Sequence, residues 1–178
     1  SVFPRQKLTA EMIRDNVLVS SGLFVDRIGG PSVKPYQPPG LWDEMTGGST
    51  SNSLKRYMMS TNGNQYRRSL YTYWKRTVPP PGMITFDASS RDYCTVERQK
   101  TSTPLQSLIL LNDPQVQNAA EAIATLILEG EIKKDKYRVE TLHRRITGRN
   151  PSPKALSEMI DYLKSAEELH AKKTKELS

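Results

Sequence analysis

The chain has 178 residues, a hydrophobic fraction of 36% and a formal net charge of +7. This length suits one domain, or one domain with a helical appendage, and it suffices for a packed core. The single cysteine, Cys94, excludes an internal disulfide, a multi-cysteine metal site and a haem attachment motif within this chain. No apolar run approaches the length of a transmembrane helix, so we expect no membrane span.

The excess positive charge is concentrated in residues 51–100. This segment holds nine basic and three acidic residues, which accounts for six of the seven excess charges. Such an excess favours an anionic partner, whether nucleic acid, acidic lipid or acidic polysaccharide. A solvated basic surface is the structural alternative.

The N-terminal segment predicts a helix over residues 10–21. Thr9 can accept the first free amide of this helix, and Gly22 can end it. The apolar stripe of the helix is formed by Met12, Ile13, Val17 and Leu18.

A long loop is predicted over residues 22–64. It contains IGGPSVKPYQPPGLW, residues 28–42, which we call the proline loop and expect to be ordered and extended. TGGSTSNS, residues 46–53, is typical of a flexible loop tip.

The aromatic segment, YRRSLYTYWKRT at residues 66–77, fits both helical and strand spacing, and its aromatic content favours a strand. PPPG at residues 79–82 breaks any regular element, and the following MITF is a candidate second strand. We therefore expect a small two-stranded β element.

From Thr103 onward the chain is predicted to be helical. Thr103 and Asp113 each precede a proline, which is the pattern of a capping side chain followed by proline at the first helical position. The predicted helices cover residues 104–111, 114–129, 136–147 and 153 to about 175. The apolar positions of the last helix thin out near Leu169, which indicates an end that projects into solvent.

Between the aromatic segment and these helices lies FDASSRDYCTVERQKTSTP, residues 86–104, which we call the polar run. Asp87, Arg91, Asp92, Glu97 and Arg98 are close enough in sequence to form ion pairs. A loop fixed by these charges, a ligand site, and a pair of catalytic carboxylates formed by Asp87 and Glu97 remain open alternatives. Cys94 makes a poor nucleophile candidate, because a thiol needs a base to activate it and the two histidines, His143 and His170, lie in predicted helices with charged neighbours.

Basic and aromatic residues are interleaved in the aromatic segment. Arginine and lysine can pair with phosphate, sulfate or carboxylate groups, and aromatic faces can stack on bases or sugar rings. The structural alternative places Leu70 and Trp74 in the core with the basic groups at its rim. The sequence contains no phosphate-binding loop and no RNA-recognition motif.

Several long strings of this sequence resemble one family. They are LTAEMIRDNVLVSSG, the proline loop, and the stretch from YRRSLYTYWKRT through the polar run to SLILLNDPQ. Together they resemble the planctomycete-type domain of unknown function fifteen fifty-three, the PSD-one family, over residues 4–130. TGRNPSPKALSEMIDYL resembles the closing helix of that family less distinctively.

The resemblance implies the C-terminal part of a large exported bacterial protein, located in the periplasm, the cell envelope or outside the cell. It implies neighbouring domains on the same polypeptide, with haem in a cytochrome c-like module elsewhere and no cofactor in this chain. It carries over no catalytic residues. The strings that carry it mark the candidate ligand-binding residues Lys34, Tyr36, Trp42, Arg67, Arg68, Trp74, Asp87, Arg91, Arg98, Thr103, Gln106 and Asn112.

These observations predict a mainly α fold with a small two-stranded β element and long ordered N-terminal loops. Residues 1–150 are expected to form the family domain, and residues 151–178 a C-terminal helix that packs on it or projects from it. The leading functional hypothesis is a non-catalytic binding or scaffolding domain that contacts acidic polysaccharide or a neighbouring domain. A subdomain of a carbohydrate-active enzyme and a nucleic-acid-binding domain are the alternatives, and the implied export makes nucleic acid the less favoured partner.

Overall fold

The computed structural model describes residues 6–42, 57–91 and 93–176. Six α-helices lie wholly within these ranges: α1 (Ala10–Ser21), α2 (Pro81–Thr85), α3 (Pro104–Asn112), α4 (Pro114–Glu129), α5 (Asp135–Thr147) and α6 (Pro153–Glu176). Two 3-10 turns cover Asn64–Tyr66 and Ser69–Tyr71. The predicted flexible tip at residues 46–53 lies outside the described residues. The mainly helical character predicted from the sequence is confirmed.

The chain forms two compact units, Ser1–Ala120 and Glu121–Ser178, and the boundary between them falls inside α4. The predicted division at residue 150 concerns the family domain, and it stays a prediction. No helix in the described part of the chain is both long and apolar enough to cross a membrane.

Helix α1 begins and ends where its sequence predicts. The Thr9 hydroxyl accepts a hydrogen bond from the Met12 amide, 3.3 Å away, and Gly22 adopts a left-handed φ of 80° at the C-terminal end. Leu18 is almost fully buried, which anchors the apolar side of the helix. Met12, predicted to belong to that stripe, is instead exposed.

Every end of the four C-terminal helices also lies within one residue of its predicted position. Asp113 caps α4 as expected, since its carboxylate accepts a hydrogen bond from the Gln115 amide at 2.7 Å. The Thr103 side chain makes no such bond, so α3 relies on Pro104 at its first position. In the second unit α5 and α6 pack on each other, and Leu169 near the end of α6 is exposed as predicted.

The predicted two-stranded β element is wrong, since the described residues contain only isolated bridges. Two single parallel bridges join the aromatic segment to residues before and within the proline loop: Val25 with Arg67, and Val33 with Thr72. MITF lies mostly in α2, because Pro81 provides a preformed first helical residue for the chain that follows. The aromatic segment therefore contains one 3-10 turn, Ser69–Tyr71, and isolated bridges in place of a strand.

A buried guanidinium group takes the place of a sheet in holding this irregular backbone. Arg67 has 0% exposure, and its Nη1 and Nη2 atoms donate to the carbonyls of Arg27, Gly29 and Pro31. Its planar group also stacks on Tyr71, with 4.1 Å between Cζ and the ring centroid. Backbone carbonyls buried without a partner are costly, so this side chain stabilises the start of the proline loop.

A second arginine ties the same region to α1. The Nη1 atom of Arg14 donates to the Arg67 carbonyl at 2.9 Å, and its Nη2 atom donates to the Gln65 carbonyl. Its Nε atom donates to the Gln115 side chain at the start of α4. Burial lowers the pKa of Arg14, and the carboxylates of Asp15 and Asp113 oppose that effect. Arg14 therefore links three segments that are distant in sequence.

The Arg67→Met substitution is expected to lower the free energy of unfolding by about 3 to 5 kcal/mol, because it removes a buried guanidinium group and its three hydrogen bonds to backbone carbonyls. Urea denaturation followed by circular dichroism measures this change. Arg68→Met is the matched control, because the Arg68 side chain is 49% exposed and makes its contacts, an ion pair with Asp26 and a ring contact with Phe24, at the surface. Its loss should change stability by about 1 kcal/mol or less. Equal effects of the two substitutions would contradict the structural role of Arg67.

Candidate functional site

The first unit contains an open groove of about 470 Å³. One side is formed by α1, through Ile13, Val17 and Leu18. The opposite sides come from the proline loop, from α2 and from the corner between α3 and α4, and they include Pro35, Tyr36, Pro38, Pro80, Pro81, Met83, Phe86, Leu108, Pro114 and Val116. The volume falls in the range typical of ligand sites.

Prolines make the groove strongly apolar. A proline has no backbone N–H, so it can present its ring to a cavity without leaving a donor unpaired. Pro35 and Pro80 are buried, whereas Pro38 is exposed at the rim. The proline-rich composition of both loops thus produces an apolar wall in a region that has no regular secondary structure.

An exposed leucine ridge continues the groove along α3. Leu105, Leu108 and Leu111 recur every three residues, so they lie on one side of the helix. Leu108, which also lines the groove, is 56% exposed, and its two partners in the ridge are exposed as well. A groove and a ridge of this kind form a contiguous apolar surface, which monomeric proteins seldom leave uncovered.

The polar groups at the groove are largely engaged within the protein. The hydrogen bonds of Arg14 go to backbone and side-chain oxygens, and one Asp113 oxygen caps α4. Asn112 donates to the Leu108 carbonyl at 2.8 Å. The Thr72 hydroxyl is buried and, among the described residues, has no hydrogen-bond partner. The groove therefore offers contact area and shape more than reactive groups.

Only two of the sequence-predicted site residues, Tyr36 and Asn112, line this groove. Lys34 and Trp42 belong instead to a separate aromatic cluster with Tyr57, Tyr73 and Lys75. The Lys75 ammonium lies 4.1 Å from the Trp42 ring centroid, and Trp42 itself is buried. Burial also raises the pKa of Tyr57, an effect that Arg14 opposes.

The predicted arginines and Trp74 do not gather in one place. Arg67 is sealed in the core, whereas Arg68 lies at the surface, 3.4 Å from Asp26. Trp74 donates to the Ser90 carbonyl at 2.9 Å, and the Arg91 guanidinium lies 4.7 Å from its ring centroid. Among the described residues, these side chains therefore do not surround a common cavity.

The polar run is held by contacts within itself and with the N-terminal part of the chain. Both Asp87 oxygens accept hydrogen bonds from Thr101, through its amide and its hydroxyl, each at 2.8 Å, and Lys7 lies 3.6 Å away. Gln106, which is buried, accepts from Lys7 at 3.1 Å and donates to the Thr85 carbonyl. The carboxylate therefore closes the run into a loop against the N-terminal segment and α3.

The rest of the run follows the same pattern. Arg98 pairs with Glu11 of α1 at 2.7 Å, and the exposed Glu97 pairs with Lys100 at 3.7 Å. Cys94 and Thr103 are exposed. Asp92 lies outside the described residues. In the described part of the chain, no group of three His, Cys, Asp or Glu side chains is placed to hold a metal ion.

Sequence reasoning missed several side chains that build the groove and its supports. Arg14, Leu108 and Tyr57 were not among the predicted site residues. The sequence of α3, PLQSLILLN, could have indicated the leucine ridge. Its apolar residues lie on more than one side of the helix, whereas a helix that packs through one face needs only one apolar side. Arg14 carried no comparable signal, since a lone arginine in an amphipathic helix is usually solvated.

Asp87→Asn tests the role of the carboxylate in the polar run. Hydrogen bonds from Thr101, with the nearby Lys7 ammonium, hold the pKa of Asp87 below its ordinary value of 3.8. A lowered folded-state pKa stabilises the protein above that ordinary value, and the contribution is lost as pH falls through the folded-state pKa. Asparagine also tolerates the left-handed φ of 62° found here.

We therefore expect Asp87→Asn to unfold at lower urea concentration than the parent protein at neutral pH. The difference should shrink as pH falls through the folded-state pKa, because the parent carboxyl group then becomes neutral, as the asparagine side chain already is. Urea midpoints across an acid pH series measure both effects. A difference that stays constant across the series would show that the charge of Asp87 does not stabilise the folded protein.

No curated protein and no solved structure matches the chain at a significant level. The family model described as "Protein of unknown function (DUF1553)", PSD1, matches residues 1–163. This match covers the groove, the polar run and most of the helices, and it agrees with the resemblance found in the sequence. The chain therefore belongs to the PSD1 (DUF1553) family.

Proposed function

We propose that this chain is a non-catalytic docking domain of a larger multidomain protein. Its groove and leucine ridge receive an apolar segment from a neighbouring domain of the same polypeptide. The observation that supports this proposal is the continuity between the two: Leu108 belongs to the exposed ridge and also lines the groove.

The chemistry of the surface favours a protein segment over a polar ligand. Apolar side chains dominate the lining, and most polar groups near them are already hydrogen-bonded within the unit. Burying such a surface gains roughly 25 cal/mol per Å² of apolar area, which rewards a partner that is itself apolar. A sugar or a nucleotide would leave its hydroxyl or phosphate groups without partners here.

The aromatic cluster and the arginines near it give less support to the binding of acidic polysaccharide. Lysine ammonium groups lie over the aromatic cluster, with Lys34 5.2 Å from the Tyr73 ring centroid and Lys75 over Trp42. A stacking sugar would have to displace these cations from the rings. The arginines are divided between the core and separate surface positions.

The alternative of a carbohydrate-active enzyme depends on Asp87 and Glu97. Asp87 already accepts two hydrogen bonds from Thr101 and pairs with Lys7, whereas the Glu97 side chain is 82% exposed. Paired-carboxylate catalysis needs two acids that face one substrate in different environments. If Asp87→Asn abolished turnover in the full-length protein without loss of stability, the enzyme alternative would replace the docking proposal.

The same proposal includes the setting implied by the family resemblance. The larger protein is exported to the periplasm, the cell envelope or the outside of the cell, and the partner domains include a haem-carrying module. In that setting the docking domain fixes the position of its neighbours, and it needs no cofactor of its own.

The Leu108→Glu substitution is expected to weaken docking by about tenfold or more. It removes a leucine that docking would bury, and the partner would have to cover a charged group instead. The assay mixes the variant chain with the remainder of its full-length polypeptide, produced separately, and measures association by calorimetry. Leu70→Glu is the matched control, since Leu70 is 69% exposed in the same unit and does not line the groove.

Both variants should unfold at the same urea concentration as the parent, because both side chains are largely solvent-exposed. A fluorescent apolar dye gives a second measurement that does not depend on the partner: Leu108→Glu should reduce its binding, and Leu70→Glu should not. Association that is unaffected by Leu108→Glu, or equally affected by both variants, would refute the groove as the docking site.

A further inference from the structure

A second groove, also of about 470 Å³, lies in the C-terminal unit. It follows one side of α5, where Tyr137, Glu140, Thr141 and Arg144 recur at helical spacing. Lys133 and Lys134, in the loop before the helix, line its first end, and Asn150, after the helix, lines its other end. No predicted site residue belongs to it.

The groove is cationic at both ends. Lys133 and Lys134 at one end, and Arg144 at the other, make no ion pair with any residue in the described part of the chain. Lys134, at the N-terminal cap of α5, and Arg144 are ten residues apart, which places them about 15 Å apart along the helix axis. An occupant can therefore present two anionic groups to the groove, separated by nearly three helical turns.

The loop that carries the two lysines has a defined backbone. The Nε atom of Arg138 donates to the Ile132 carbonyl at 2.8 Å, and its Nη1 atom pairs with Asp135 at 3.2 Å. The Lys134 carbonyl accepts from the amides of Tyr137 and Arg138 at the start of α5. The lysine side chains thus begin from fixed positions beside the groove, which lowers the entropy cost of binding.

The groups between the cations suit sugar rings. Tyr137 is half exposed and offers an aromatic face, and the Glu140, Thr141 and Asn150 side chains can bond to hydroxyl groups. We propose that this groove binds an extended acidic oligosaccharide, with its carboxylate or sulfate groups on the lysines and on Arg144. This site is in a different unit from the docking groove, and the two proposals are independent.

Single-stranded nucleic acid is the less favoured polyanion. Its binding normally uses several aromatic side chains on which successive bases stack, and Tyr137 is the one aromatic side chain among the described residues that line this groove. The Glu140 carboxylate, in the middle of the groove, repels phosphate, carboxylate and sulfate groups alike, so the occupant places a hydroxyl group there and its anionic groups at the two ends.

Isothermal titration calorimetry of the full chain tests the proposal with four probes. Tetragalacturonate supplies carboxylates, a heparin tetrasaccharide supplies sulfates, maltotetraose is the neutral control, and oligothymidine represents nucleic acid. We expect at least one acidic sugar to bind with an affinity that falls as salt rises, and maltotetraose not to bind. The better of the two acidic probes distinguishes a carboxylate site from a sulfate site.

Arg144→Gln and Lys133→Gln should each weaken the better acidic probe by about tenfold, because each removes a charged contact. Lys164→Gln is the charge-matched control: it is an exposed lysine of α6 that does not line the groove, and it should leave affinity nearly unchanged. Circular dichroism checks that every variant is folded.

Three results would overturn the proposal. The first is no binding of either acidic sugar by the folded chain. The second is an equal loss of affinity in Arg144→Gln and Lys164→Gln, which would indicate diffuse attraction to net charge. The third is tighter binding of oligothymidine than of either sugar. None of these results bears on the docking groove, which Leu108→Glu tests separately.

Discussion

The first unit depends on a guanidinium group buried among backbone carbonyls. Residues 22–34 and 57–78 meet without forming a sheet, so their carbonyls lack the regular partners that strands provide. Arg67 donates to three of these carbonyls, and its own carbonyl accepts from Arg14 of α1. The side chains of Arg14 and Arg67 thus donate to backbone carbonyls that a neighbouring strand would bond in a sheet. The cost is a desolvated cation, which is tolerable because most of its donors are used.

The wall of the docking groove follows from this arrangement. Beyond the carbonyls bound by Arg67, the chain is held by Val33, whose amide and carbonyl bond to Tyr71 and Tyr73. The Tyr57 hydroxyl then donates to the Pro35 carbonyl. These contacts place Pro35 and Tyr36, which belong to no helix or strand, in the groove wall together with α1.

Sequence patterns predicted the parts of the fold that depend on neighbouring residues. Helix ends at Gly22, Pro104 and Pro153 follow from local capping chemistry, so they were predictable. The aromatic segment was not, because its spacing fits more than one structure and its outcome depends on Arg14, some fifty residues away. The site divides in the same way. Tyr36 and Asn112 were predicted, but the groove is built mostly from apolar side chains that look like ordinary core residues in the sequence.

The polar run shows why a charged motif need not be a binding site. Two of its charges pair with residues far along the chain, Asp87 with Lys7 and Arg98 with Glu11, whereas Glu97 pairs with Lys100 inside the run. Lys7 lies just before α1 and Glu11 in its first turn, so the run fixes the N-terminal segment beside the start of α3. Partly exposed pairs of this kind contribute little to stability one by one, but several together fix a loop. Charge concentrated in this part of the sequence thus serves the architecture of the first unit, and the partner that we propose for this unit contacts its apolar groove and leucine ridge instead.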